Sequence, residues 1–392
     1  MPMVDLSAQY RTVGDAVREQ IDQVFATQRF ILGPKVQEFE KAISEFCGCP
    51  HAIGVSSGTD ALLAILMALG IGPGDAVITT PYTFFATAGC VARLGAKPVF
   101  VDIDRATYNL SGPALEQFLE EKCQRRGNAT VLRDGGDTVR AIIPVHLFGL
   151  CCDMNSIQRT AENYHLLVIE DAAQAIGAQY PSASGTRMAG TMGQAGFFSF
   201  YPSKNLGAAG DAGLILCHEA ELSEKLIMLR EHGMRPRYYH QFIGGNFRLD
   251  EIQAAVLKVK LPHLESWARA RRAAADFYRE LFTSAKLIGA IDLPVELYRE
   301  RAREHHAYHQ YVIRTPKRDA LRQHLTRCEV GTEIYYPIPL HLQECFRYLG
   351  YHEGDLPESE RAARETLALP MYSEISREAQ QYVVGAIAEF LR

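Results

Sequence analysis

What is scarce in this chain of 392 residues sets the first limits on it. An excess of one charge is lacking: 41 Lys and Arg stand against 46 Asp and Glu, for a formal net charge of -5. A generalised nucleic-acid or anionic-membrane binder needs a basic field, so that class is excluded, and any anionic ligand has to be held by local groups. Long apolar runs are missing as well. Nowhere do 18 apolar residues follow one another, and the opening MPMVDLSAQYRTVGDAV lacks a basic-then-apolar signal pattern. Neither a membrane partner nor an export leader is expected. Cysteine is present but unpatterned: nine residues, an odd count over a large chain, do not make a disulfide framework. The pairs Cys47/Cys49 and Cys151/Cys152 lack the second half of a zinc pattern, so buried thiols, no metal and a reducing, cytoplasmic setting are expected. Internal repeats and low-complexity tracts are absent too.

What is present reads as an ordinary globular chain, 47% hydrophobic and 22% charged, long enough for two or three lobes. The first fifty residues are helical in pattern, with Val17, Ile21, Val24 and Phe25 on one stripe. From about residue 50 to 220, short apolar runs (HAIGVSS, DAVITT, KPVFVDI, RAIIPVHL, LLVIED, AGFFSF, AGLILC) alternate with helical stretches. This rhythm predicts an α/β architecture, a mostly parallel sheet covered on both faces. The polar segment 121–140 reads as an exposed excursion. A long helical stretch follows GGNFRLD, broken or kinked at Pro262, and its Arg269, Arg271 and Arg272 read as a solvated face. Beyond about residue 290 the texture becomes an α+β mix, with AYHQYVIR and EIYYPIP as strands and DALRQHLTRC as a helix. The expected division is a large domain over 1–255 and a linking helix with a smaller lobe over 256–392.

Open parallel sheets bind ligands beyond the carboxyl ends of their strands, and four candidate groups fall there. In SSGTDALLAIL the free N–H groups of a helix start at Ser57, Gly58 and Thr59 can cradle a phosphate, although a capped helix after a tight turn explains the same letters. In LLVIEDAAQAIGA an apolar strand runs into Glu170-Asp171, with Gln174 three places on. A carboxylate there is costly unless it meets a cation such as a protonated pyridine nitrogen, though an acidic helix start is also common. In SFYPSKNLGAAGDAG, Ser199 can donate to the same phosphate while Lys204, in a loop of small residues, can form an imine with an aldehyde. A turn lysine is the plain alternative. In PYTFFATAG, Phe84 is the choice over Tyr82 and Phe85 for a ring that stacks on a flat heteroaromatic, against a core aromatic. Each plain alternative is respectable singly. The four together, in this order along one sheet, make up the parts of a pyridoxal phosphate site.

The motifs GTDALLAIL, PYTFFATAG, VDIDRATYNL, IPVHLFG, VIEDAAQAIGA, FSFYPSKNLGAAGDAG, GGNFRLDEIQAAVLKVKL, YYPIPLHLQ and LALPMY resemble the DegT/StrS family of sugar aminotransferases, in unbroken order along the chain. The resemblance implies a fold-type I enzyme that uses pyridoxal 5'-phosphate and acts as a homodimer with shared active sites. Such enzymes move an amino group from L-glutamate to a keto group of a nucleotide-linked sugar, for lipopolysaccharide, other surface-glycan or natural-product biosynthesis. It further implies that Lys204 is the Schiff-base lysine, Asp171 the partner of the pyridine nitrogen, Gln174 the contact to the ring hydroxyl and Phe84 the stacking residue. Gly58, Thr59 and Ser199 match the phosphate ligands, and Asn246, followed here by Phe247, matches an asparagine that reaches the phosphate from the neighbouring subunit. YYPIPLHLQ resembles members acting on 3-keto sugars, with amination at position 4 the alternative. His341 is the candidate contact to sugar or donor. Arg29, Tyr308 and HGMRPRYYH (232–240) are the candidates for the nucleotide diphosphate. Two rivals share the fold: a sugar dehydratase, whose lysine is replaced by histidine in those relatives, and a non-catalytic regulator. Lys204 stands against the first, and Lys204 with Asp171 against the second.

Overall fold

The computed structural model describes residues 1–182, 185–293 and 305–391. Two helices come first, α1 (Leu6–Thr27) and α2 (Pro34–Cys47). The strands and helices then alternate: β1 (His51–Val55), α3 (Gly58–Ala68), β2 (Asp75–Thr79), α4 (Ala86–Arg93), β3 (Lys97–Phe100) and α5 (Gly112–Lys122). They continue with β4 (Cys123–Arg126), β5 (Ala129–Leu132), β6 (Thr138–Ile143), α6 (Met154–Tyr164) and β7 (Leu167–Asp171). After these come a hairpin of β8 (Gln179–Ser182) and β9 (Gly185–Met188), then β10 (Ala195–Ser199), β11 (Gly213–Cys217) and α7 (Ala220–Arg230).

The main sheet runs β1-β11-β10-β7-β6-β2-β3, and along that path only β11 is antiparallel to its neighbours. Burial on both faces explains the apolar runs. Ile78, Ile142, Val168 and Leu214 point into one core, while Val77, Ile143, Ile169 and Ile215 point into the other. Because the side chains alternate, the adjacent carboxylates of β7 part company. Glu170 turns to the first face, where it accepts from the amides of Gly190 (2.8 Å) and Gly193 (2.7 Å) and meets His146 Nε2 at 2.8 Å. Asp171 turns to the other.

Segment 121–140 is exposed at its turns, as expected, but it is ordered as part of the sheet. It forms the β4–β5 hairpin, and β5 adds antiparallel to the start of β6, which buries Cys123, Val131 and Leu132. The cysteines are free thiols, seven of them buried, with Cys328 half-buried and Cys345 exposed. No helix among the described residues is long and apolar enough to cross a membrane.

After the sheet, α8 (Glu251–Lys260) packs against α1 and α2, and Pro262 opens a single 3-10 turn that leads into α9 (Leu264–Ser284). The later part of α9 joins a third core with β12 (Tyr311–Arg314), β13 (Thr366–Leu369) and the helices Arg318–Arg327 and Arg377–Leu391. The strand expected over AYHQYVIR shrinks to its last four residues, since Tyr308 takes a positive φ of 41°. EIYYPIP makes no strand beyond a Glu333–Ala368 bridge; Pro337 and Pro339 have no N–H to give a ladder.

The expected solvated face also fails at Arg271. This residue is buried, and its Nη1 donates to the carbonyls of Tyr308 (3.1 Å) and Met371 (3.0 Å), which pins α9 to the small lobe. Burial draws its pKa down to about 10, so it stays charged at neutral pH. Arg271→Leu leaves these buried carbonyls unpaired and is expected to cost about 3 kcal/mol, read as a lower urea midpoint. A change at Arg269, exposed and paired to Glu265, is expected to leave the midpoint in place.

Candidate active site

Parallel strands bring their carboxyl ends to one edge, and β11, running the other way, brings its beginning there. A cavity of about 590 Å³ opens at that edge. Its walls include Ser57, Gly58 and Thr59 after β1, Thr83, Phe84 and Thr87 after β2, Asp171 and Gln174 from the end of β7, and Ser199 and Lys204 after β10. Seven residues expected to touch the cofactor from this chain (Gly58, Thr59, Phe84, Asp171, Gln174, Ser199 and Lys204) therefore line one space.

Close backbone approach shapes the end of the cavity at the start of α3. Ser57 caps α3, its hydroxyl accepting from Asp60 N at 3.0 Å. A Cβ on Gly58 would lie 2.8 Å from the Cβ of Ser199, and one on Gly213 would lie 2.4 Å from the Ser57 carbonyl. The helix start and the end of β10 can close on each other only because these positions are glycine. The same holds in the lysine loop, where a Cβ on Gly207 would sit 2.2 Å from the Pro202 carbonyl oxygen.

Asp171 is buried, and its carboxylate accepts from Thr87 Oγ1 at 2.8 Å and from Ala173 N at 3.2 Å. Burial raises its pKa, against the opposing effects of Thr87, Ala173 and Lys204. Lys204 is half-buried, open to the cavity and enclosed by protein. Enclosure brings its pKa down to about 8, while Asp171 pulls it upward. A lysine so placed is partly unprotonated near neutrality, which its ordinary value forbids. Gln174 is fixed at both ends, its Oε1 accepting from Phe148 N at 2.7 Å and its Nε2 donating to Tyr336 Oη at 3.1 Å.

The three aromatics of PYTFFATAG separate cleanly. Tyr82 is buried, its hydroxyl 2.6 Å from the Tyr335 carbonyl and from Thr366 Oγ1. Phe85 stacks on Phe346 away from the cavity. Phe84 keeps 58% of its surface exposed and lines the cavity, as a stacking face requires.

The remaining candidates lie elsewhere. Asn246 is exposed, bridged to Glu231, and does not line this chain's own cavity. Tyr308 belongs to the small-lobe core, its ring stacked 3.9 Å from that of His306. His341 is buried against Glu360 at 3.1 Å, with its pKa lowered by burial, and does not reach the cavity. Arg29 sits at the α1–α2 connection and lines a separate surface recess. Sequence reasoning missed Thr87, His309, Gln310, Tyr335 and Tyr336, all on the cavity wall. Thr87 lay one helical turn past Thr83 in a motif already singled out, and Tyr335 and Tyr336 open another, YYPIPLHLQ; His309 and Gln310 lie in a stretch read only as a strand.

The DegT/DnrJ/EryC1/StrS aminotransferase family matches residues 12–388. The chain belongs to this family. It is 47% identical to a "Pleiotropic regulatory protein" of Geobacillus stearothermophilus, over 100% of this chain and 99% of the relative. It is 40% identical to a UDP-N-acetyl-3-dehydro-alpha-D-glucosamine 3-aminotransferase of Acidithiobacillus ferrooxidans, over 96% and 94%. Among solved structures, S. venezuelae DesV in complex with a ketimine intermediate superposes with a TM-score of 0.88 at 37% identity, covering 99% of this chain and 97% of that one. The cofactor of the family is pyridoxal 5'-phosphate, and the residues fit it: an anion cradle, an exposed ring face, a buried carboxylate and an enclosed amine line one cavity.

In cofactor-free protein, acylation of Lys204 followed by mass spectrometry across pH is expected to rise with a midpoint near 8, well below surface lysines. Asp171→Asn is expected to move that midpoint lower, because the anion that favours the charged amine is gone.

Proposed function

We propose that this aminotransferase transfers an amino group from L-glutamate to the C3 keto group of a nucleotide-linked sugar. One observation carries the reading: Lys204, with its lowered pKa, shares an enclosed cavity with the buried carboxylate of Asp171. The C3 position is supported by the activity for which the 40% identical relative is named.

When bound, pyridoxal 5'-phosphate supplies an aldehyde for amine condensation and a ring that withdraws electrons from the adjacent carbon. Gly58, Thr59 and Ser199 would hold its phosphate, Phe84 its ring face, and Gln174 its ring hydroxyl. Asp171 would keep the ring nitrogen charged, the carboxylate itself held by Thr87 and Ala173 N. Lys204 would join the aldehyde; once the amine of glutamate displaced it, the freed Lys204 amine would take the proton from the α-carbon of glutamate and return it at the carbon that had carried the aldehyde, and a pKa near 8 suits both moves. The same amine serves the sugar half of the cycle in reverse. The large domain over 1–255 would carry this chemistry, and the lobe over 256–392 would close the cavity with Tyr335, Tyr336 and Gln310.

The active unit is a homodimer in which Asn246 completes the partner's phosphate site. Asn246 is exposed and far from needed at home, and the loop before it exposes Tyr238 (73%), Tyr239 (70%) and Ile243 (91%), apolar surface suited to an interface. Free thiols throughout suit a cytoplasmic setting, and the amino sugar would serve surface-glycan or natural-product assembly.

A second reading, a regulator that keeps the fold, is favoured by the name of the 47% identical relative. The spectrum separates the two: a visible cofactor band that shifts on adding glutamate supports the enzyme, and a protein that stays colourless with cofactor supports the regulator. Screening keto-sugar nucleotides with glutamate, with mass spectrometry of the product, is expected to show C3 amination. Lys204→Ala is expected to lower turnover by at least ~10³-fold; a wild-type rate would overturn the mechanism. Mixing inactive Lys204→Ala protein with Asn246→Ala protein is expected to regain activity, since mixed dimers carry one intact site; no gain would refute the shared site.

A further inference from the structure

Met3 and Val4 line the active-site cavity, although they precede the first helix and belong to no loop of the sheet. Their backbone is held at both ends. On one side Asp5 caps α1, its carboxylate accepting from Ala8 N at 2.9 Å, and α1 packs on α8. On the other, two amides of the small lobe grip the segment: Gly331 N donates to the Met1 carbonyl at 2.8 Å and Met371 N to the Met3 carbonyl at 3.2 Å. The side chains are seated as well. Met1 packs on the small-lobe core, and Met3 joins Tyr335 and Tyr336 against the cluster around Tyr82. One position permits the fit. A Cβ on Gly331 would lie 2.9 Å from Met3 N and 3.0 Å from the Met1 carbonyl oxygen, so a side chain there pushes the segment off its seat.

We propose that residues 1–4 are a strap from α1 to the small lobe, and that Met3 and Val4 are specificity-determining residues, the apolar wall against which the acceptor sugar lies. The inference deepens the reading of the chain as a nucleotide-sugar aminotransferase and rests on it. A thioether and a branched alkyl group have no donor to offer, so they do not suit glutamate, whose two carboxylates need cations or N–H groups when enclosed. A sugar ring has C–H faces and carries methyl-bearing substituents, which gain from an apolar wall and from the water it excludes. Gly331 makes no contact with the sugar on this account; it acts by fixing Met3.

The strap is tested without cofactor or substrate. Hydrogen exchange, read by mass spectrometry of the peptide carrying Met371, is expected to show that amide exchanging at least ~10-fold faster in Gly331→Val than in the unaltered protein. Equal protection overturns the strap. The wall is tested in the holoenzyme. Met3→Ala is expected to raise KM for the keto-sugar nucleotide roughly tenfold while KM for glutamate moves by less than about twofold, and Met3→Leu, of similar volume, to restore the sugar KM. An unchanged sugar KM in Met3→Ala, or an equal rise for glutamate, overturns the proposal, as does Met3→Leu behaving like Met3→Ala. Unaltered protein that aminates no keto-sugar would refute the enzyme reading and the role of Met3 with it, and the exchange result would still decide the strap.

Discussion

An amine and a carboxylate held in one enclosed cavity are the constraint on which the rest of this molecule depends. Desolvation works against both charges, raising the pKa of Asp171 and lowering that of Lys204, while their mutual attraction works the other way. Neither group could be kept there without support. Thr87 and the Ala173 amide hold the carboxylate, and a loop tight enough to require glycine at 207 holds the lysine. On the proposed function, a positively charged ring nitrogen and an aldehyde would satisfy the two groups together.

The sheet makes this convergence possible. Along the path from β1 to β3 all strands but β11 run the same way, so loops distant in sequence meet at one edge, and β11 contributes its start instead. Contact distances at Gly58 and Gly213 show how closely these loops are drawn together. Behind the edge, Glu170 ties β7 to the backbone of residues 190–193, on the face away from the cavity. The small lobe closes the remaining side, anchored through Arg271 to the carbonyls next to His309.

The core of the fold was legible because its strands are buried on both faces and read as apolar runs, and because each helix between them has its own period. The hairpin at 123–132 was hidden by its polar, glycine-bearing turn, which disguised one buried face. EIYYPIP misled in the opposite direction, since aromatic and β-branched letters suggested a strand that the two prolines deny. Arg271 was misread because a basic cluster on a helix is ordinarily solvated, and nothing local shows that one member of it faces three carbonyls. His341, Tyr308 and Arg29 were chosen by residue type, and burial or position removes each from the cavity.

The sequence by itself determined the order of strands and helices, the family, and which loop residues would come together on one cavity, because these depend on period, on turn chemistry and on motifs of contiguous letters. Only the tertiary structure decided the enclosure of Lys204, the support beneath Asp171 and the contact of His309 with Asn205. Those depend on enclosure and on donors brought from elements up to a hundred residues away, such as Asn205 meeting Ala307, and no stretch of chain carries that information locally.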